Sequence, residues 1–334
     1  MMNNRTRFPT ITLLALLTAA CGGGGGGSDD PGTVTFNEAE ITTGNADAIS
    51  RTVVDGMMET AALGEFGDLA GLGSVGVEPG GTLSKTAITL ATKTGEARAK
   101  ALPTLMYEPF DPGPTPCAAG GTVTVSANLQ QPDTLTAGDS ITARFADCDD
   151  GDGRVVSGTL RLVVDAFDGD FASGLFAAGV DLSFDVLSVT EDGETNTVNG
   201  DIALFVDTRR YPVVAFSHSG RGLAITERGE TMVFAEWSNG LSVDGSSVPA
   251  GYSLTGNGRI DVPRHGGVSY RVDEAFTGFG DTHPISGVLY LEGRDGASIT
   301  ITSLSNEQLQ LEMDYDGDGV VDEVRLRTWA ELEG

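Results

Sequence analysis

Lysine is nearly missing from this chain of 334 residues, occurring only at Lys85, Lys93 and Lys100. Lys and Arg together number 20 against 48 Asp and Glu, a formal net charge of −28 at pH 7. Nucleic acid is thereby excluded as a partner, because phosphate contacts need a Lys/Arg surface. The same shortage argues against electrostatic docking on anionic lipid. Histidine occurs three times, at His218, His265 and His283, without H-x-x-x-H spacing, so no zinc motif is spelled out. Ser217-His218-Ser219 lacks the G-x-S-x-G elbow of a serine hydrolase. Aromatics are only 7% of the chain. What is plentiful is glycine, 47 residues, together with 13 prolines, a composition of many turns and few long helices. Hydrophobic residues still make up 40% and often alternate with polar ones, which separates the chain from a disordered one.

The N-terminus carries an address. Arg5 and Arg7 form a short positive region with no acid, followed by the apolar stretch of residues 10–20 (TITLLALLTAA). That stretch is too short to span a bilayer as a mature helix. Ala19 and Ala20 then precede Cys21. The segment resembles a bacterial lipoprotein signal, with Thr18 where that family prefers Leu. The resemblance implies cleavage after residue 20, acylation of Cys21 and, since no Asp stands at position 22, sorting to the outer membrane. The alternative is an ordinary secretory leader. Several acyl chains on one Cys anchor stably where a single chain is marginal. Residues 21–33 include Gly22–Gly27, Ser28, Asp29, Asp30, Pro31 and Gly32, which have nothing to bury and read as a flexible tether. The mature chain keeps 18 cations against 48 acids, net −30, so the lipid must hold the body at an anionic leaflet unaided.

With Cys21 assigned to lipid, Cys117 and Cys148 remain as an even pair in an oxidising compartment. A disulfide is the expected state, and two separate buried thiols are the alternative. Residues 34–106 read as a mostly helical N-terminal region. Asn45 is placed to cap a helix whose apolar positions are Ala46, Ile49, Val53, Val54, Met57 and Met58. A second helix is expected over 85–102, carrying all three lysines and Arg98, and laid against the acidic body. Residues 107–116, with four prolines, form a stiff connector.

From residue 117 to 334 the pattern is strand after strand. Leu160, Leu162 and Val164 alternate with Thr159, Arg161 and Val163, and the same rhythm runs through Val180 to Val186, Ile202 to Val206, Val268 to Val272, Ile299 to Ile301 and Leu309 to Tyr315. Period two with polar partners marks antiparallel sheets wet on one face. Asp192-Gly193, Gly256-Asn257-Gly258, Gly266-Gly267, Asp295-Gly296 and Asp316-Gly317 read as turns. A weak repeat joins Ser157-Gly158, Asn199-Gly200 and Ser286-Gly287, each followed by alternating apolar residues. About a dozen strands exceed what one twisted open sheet usually holds. The expected fold class is therefore mainly β: an antiparallel meander curled into a barrel, half-barrel or sandwich, with a small helical N-terminal region. No apolar band with aromatic girdles marks a transmembrane barrel.

Cys117 to Val125 with Gly120-Gly121, Ala137-Gly-Asp-Ser140, Phe145-Ala-Asp-Cys148 and Ser157-Gly-Thr-Leu160 resemble segments of a group of Gram-negative outer-membrane lipoproteins. The likeness covers about 45 residues. It implies a disulfide and a β-rich body, and brings no activity with it.

The sharpest chemical signal is Asp314-Tyr-Asp-Gly-Asp-Gly-Val-Val-Asp-Glu323. Asp314, Asp316, Asp318 and Asp322, with the Val320 carbonyl, fall at positions 1, 3, 5, 9 and 7 of a calcium loop. Position 12 is Arg325 instead of the bidentate Glu, so an acidic hairpin turn is the alternative. Asp147, Asp149, Asp150 and Asp152 form a second acidic cluster without that spacing. Gly71-Leu-Gly-Ser-Val-Gly76 spells a dinucleotide fingerprint, but no strand precedes it and Pro79 follows where a helix should begin. No organic cofactor is expected. The sequence points to a non-enzymatic, membrane-anchored envelope lipoprotein that binds an apolar or protein ligand on a curved sheet. A calcium-stiffened surface adhesin or matrix protein is the alternative, and a glycan-directed hydrolase ranks third, since carboxylate pairs are too numerous to single one out.

Overall fold

Alternation of apolar and polar side chains gives each strand a buried and a wet face, and long runs of it here build one sheet. The computed structural model describes residues 37–62, 113–130, 136–149, 151, 153–170, 173–227, 229–280 and 282–333. Cys21, the tether, Gly71–Gly76, the expected 85–102 helix, Asp150 and Asp152 lie outside the described residues. The strands are β1 (Thr115–Pro116), β2 (Gly120–Asn128), β3 (Ser140–Asp149), β4 (Arg154–Asp170), β5 (Leu175–Glu191), β6 (Glu194–Asp207) and β7 (Val213–Glu227). They continue as β8 (Glu230–Asp244), β9 (Gly251–Val262), β10 (Gly266–Phe279), β11 (Ser286–Glu292), β12 (Ser298–Ser303), β13 (Gln308–Asp314) and β14 (Glu323–Thr328). All fourteen form a single antiparallel meander in sequence order, open between β1 and β14. This is the mainly β, curled architecture the alternation implies. Thr115–Pro116, at the end of the proline-rich connector, pairs only as an edge, where a missing N–H removes no ladder bond.

Two described helices accompany the sheet. Helix α1 (Ala46–Ala62) buries Ala46, Ile49, Val53, Val54 and Met57, the stripe expected from spacings of three and four. It packs on β8, β9 and β12 and on the short C-terminal helix α2 (Trp329–Glu333). Gly56 lets it come close, since a Cβ there would sit 2.9 Å from Phe234 Cζ. Asn45 holds the cap position, but its amide oxygen accepts from Thr42 N–H (2.8 Å), closing the turn that leads in. Asp47 Oδ2 accepts from Arg325 and Arg327, each at 3.1 Å, and the Arg51 guanidinium donates to the Leu332 carbonyl. Upstream, Ala39 N–H donates to Gly267 O (2.9 Å) and Arg294 N–H to Ala39 O (2.7 Å), so this segment is stitched to the sheet.

The main core joins α1, α2 and the inner positions of the strands, including Leu182, Ile202, Phe234, Leu289, Ile301 and Leu311. A second cluster, Phe176, Ala178, Val206, Phe216, Leu241 and Val243, lies on the same sheet face toward the other strand ends.

Two glycine readings change. Gly256-Asn257-Gly258 is no turn: it lies inside β9. A Cβ at Gly256 would collide with the Asn239 amide, and one at Gly258 would lie 2.7 Å from Trp237 Cβ and 2.8 Å from Tyr270 Cε1. Both glycines make room for large neighbours leaning across the strand. In the repeat, Ser157-Gly158 and Asn199-Gly200 lie inside β4 and β6, whereas Ser286-Gly287 opens β11. Gly158, Gly200 and Gly287 have φ of 108°, 122° and 137° and sit at register shifts between neighbouring strands. Each lets one strand kink against the next, so the repeated motif is a repeated bulge that coils the sheet.

Candidate functional site

The β13–β14 connection gathers part of the expected calcium set. Oxygens of Asp314, Asp316 and Asp322 lie within 4.8 Å of one another, the only such group of three metal-ligating side chains among the described residues. Asp318 is not in the group; its Oδ1 accepts from Val320 N–H at 2.8 Å, and Val320 is exposed. The loop is closed by its own acids. Asp314 accepts from Gly317 N–H and Gly319 N–H, both at 2.8 Å, and Asp322 Oδ2 from Tyr315 N–H at 2.8 Å. Gly317, at φ 73°, lies against Asp295 and Gly296 of the β11–β12 turn, where a Cβ would be 2.9 Å from Gly296 C. Arg325, standing at position 12 of the motif, has a different task. It donates to Glu323 (2.7 and 3.0 Å), to Asp47 and to Thr43 O (2.9 Å), joining the edge strand to α1. The Arg325 guanidinium holds the Glu323 carboxyl below the usual range, helped by the Tyr315 hydroxyl.

A groove of about 1140 Å³ crosses the middle of β5 to β9. Its exposed walls are Asp181, Asp201, Arg221, Glu236, Ser238 and Asn257, which alternate along the strands with buried Leu182, Ile202 and Trp237. It therefore lies on the face opposite the core. Asp201, Arg221, Glu236 and Arg259 are direct cross-strand neighbours, an acid–base–acid–base ladder. Arg221 Nη2 reaches Glu236 Oε1 at 2.8 Å, and Arg259 approaches Glu38 at 3.8 Å. Burial, then the Asp165 and Asp201 carboxylates, push the Asp181 carboxyl up. No exposed aromatic ring lines the groove to stack a sugar, because Trp237 and Tyr270 are buried.

Directly behind the groove, His218 is buried at 1% exposure, its ring centroid 5.2 Å from that of Trp237. Neither ring nitrogen has a hydrogen-bond partner, and desolvation lowers its pKa to about 3. Next to it in register, Asn239 accepts from the Tyr270 hydroxyl at 3.0 Å. Ser217 and Ser219 point to the opposite sheet face from His218, so the tripeptide pairs no serine with the imidazole. His265 lies in the β9–β10 turn and His283 in the β10–β11 turn, stacked on Trp329 at 5.5 Å, so the three histidines are not brought together.

Cys117 and Cys148 lie at disulfide distance, Cα atoms 5.5 Å apart, tying the β1–β2 edge to β3. Of the second acidic cluster, Asp147 accepts from the Ser157 hydroxyl across the β3–β4 register shift (2.7 Å), and Asp149 accepts from Gly151 N–H in the turn that follows β3 (2.7 Å). Compared with models of known protein families, with curated proteins and with solved structures, the chain matches none of them.

Proposed function

We propose that the protein is a non-enzymatic lipoprotein of the cell envelope, anchored in the outer membrane through Cys21, which presents its sheet as a binding or structural module. The observation that carries this reading is the groove on the β5–β9 face, built on strands in fixed register instead of mobile loops. Its alternating charges suit a polar protein surface. An apolar cargo is less well served, because α1 already packs on the inner face over β8, β9 and β12. The cysteine pair suits an oxidising compartment. Growth with a radiolabelled fatty acid should label the protein, and replacing Cys21 by Ser should abolish the label. An unlabelled parent chain, or equal label in the Cys21→Ser chain, would contradict the anchor.

A second reading is a calcium-stiffened adhesin or matrix component, favoured by the convergence of Asp314, Asp316 and Asp322. Without a bidentate position-12 ligand, affinity belongs in the weak extracellular range, about 10⁻⁴ to 10⁻³ M. Millimolar calcium should then raise the unfolding temperature by mass action, and Asp316→Asn with Asp318→Asn should abolish the rise. An unchanged melting curve would leave an acidic turn closed by its own backbone.

A further inference from the structure

In an up-and-down meander, alternate connections fall at the same end of the sheet. The β4–β5, β6–β7, β8–β9, β10–β11 and β12–β13 turns therefore form one rim, and the turns between them form the other. The first rim is apolar at its tips. Val248 is fully exposed, Tyr211 is 75% exposed, and Leu175, Phe279, Ile285 and Leu304 are each 40–48% exposed. The opposite rim carries Asp192, Glu230, Arg264, Asp295, Asp316 and Asp318 at its turns, with Val320 and Val321 its exposed aliphatics.

The apolar rim is continuous and braced. Thr208 Oγ1 donates to Gly174 O (2.7 Å), Gly245 N–H to Pro212 O (3.0 Å) and Gly280 N–H to Ala250 O (2.8 Å), linking four successive turns. Ser303 Oγ donates to Pro284 O (2.6 Å) and Trp329 Nε1 to Ser305 O (3.1 Å), extending the chain of contacts to α2. Nearby carboxylates are tied back, Asp207 by the Arg209 guanidinium and Asp244 by Ser246 N–H. Apolar and aromatic groups on turn tips, interspersed with exposed charges of both signs such as Asp170, Arg209, Arg210 and Glu307, have the amphipathic chemistry of the interfacial zone of a bilayer.

We propose that this rim docks on a lipid bilayer, its tips entering the interface. The inference deepens the reading of a membrane-anchored protein and rests on it. The chain outside the structure is long enough for both contacts to be made in one leaflet. Asn37, the first described residue, joins the sheet beside Gly267, at the acidic rim. From there, β10 runs 14 residues to the apolar rim, about 45 Å. Residues 21–37, fully extended, reach about 55 Å.

The test uses the full mature chain with Cys21→Ser, which carries no lipid, and vesicles of phosphatidylcholine and phosphatidylethanolamine. The unlipidated chain should float with the vesicles. The triple variant Leu175→Ser, Tyr211→Ser, Val248→Ser should partition about tenfold less well or worse, since three exposed side chains lose their transfer into the interface. Val320→Ser with Val321→Ser, at the other rim, should leave flotation unchanged. All five positions are exposed, and equal urea midpoints will verify that every variant folds. Absence of flotation, equal flotation of the triple variant, or a rim-dependent dimer in sedimentation without vesicles would each overturn the proposal. Because no lipid is attached in this assay, its failure leaves acylation of Cys21 to its own test.

Discussion

Gly200 and Gly222 occupy adjacent strands at one kink and separate two costs of a side chain. Both have positive φ, 122° and 69°. At Gly222 an added Cβ meets nothing within 4 Å, whereas at Gly200 it would stand 2.9 Å from Gly222 O and 3.0 Å from Leu223 Cα. Gly222→Ala should therefore cost only the backbone conformation, about 1–2 kcal/mol. Gly200→Ala should add overpacking against backbone that cannot move aside, about 1–3 kcal/mol more. The total, about 2–5 kcal/mol, is a large part of the 5–15 kcal/mol that usually holds a domain together. Urea unfolding followed by far-ultraviolet circular dichroism measures both variants, with an unchanged slope showing that the midpoint reports stability. Equal midpoints for Gly200→Ala and the parent chain would refute the close-approach account of the repeated glycines.

Three further outcomes follow from single residues. Val186, β-branched at φ 43° and 60% exposed, sits in a region that favours Gly or Asn, so Val186→Gly should raise stability by about 1 kcal/mol in the same urea assay. Burial lowers the His218 imidazole from its ordinary 6.5 to about 3, so it binds its proton less readily folded than unfolded. Stability should therefore fall as pH drops from about 6.5 toward 3. His218→Leu should flatten this slope by up to about 1.4 kcal/mol per pH unit, as measured by urea midpoints at several pH values. Removing the Cys117–Cys148 link by a double Ala substitution should cost about 3–4 kcal/mol, given a separation of 31 residues, read from the urea midpoint under non-reducing conditions.

Strands were legible wherever burial alternates cleanly, as at Leu160–Val164, Ile202–Val206 and Leu309–Met313, because the pleat forces that period on any half-buried strand. The α1 stripe was legible for the matching reason at period 3.6. Glycine defeated local reading. At Asp192-Gly193 and Asp295-Gly296 positive φ makes a tight turn, but at Gly200 it makes a kink inside a strand, and at Gly258 the demand is space for Trp237 and Tyr270. Those demands come from residues across the sheet and leave no trace beside the glycine itself. The acidic loop was legible as a cluster, yet the diversion of Arg325 to Asp47 depends on α1, far away in sequence. The apolar rim had no sequence signal of its own, since single hydrophobic residues in separate turns converge only through the meander's alternation of ends.

Anchoring through Cys21 is the claim on which the functional reading stands, and intact mass spectrometry of the protein extracted from membranes tests it most directly. The account predicts a chain beginning at Cys21, heavier than its amino-acid mass by the attached acyl groups, and a Cys21→Ser chain without that increment. A mature chain that begins elsewhere, or begins at Cys21 with an unmodified thiol and amine, would contradict it.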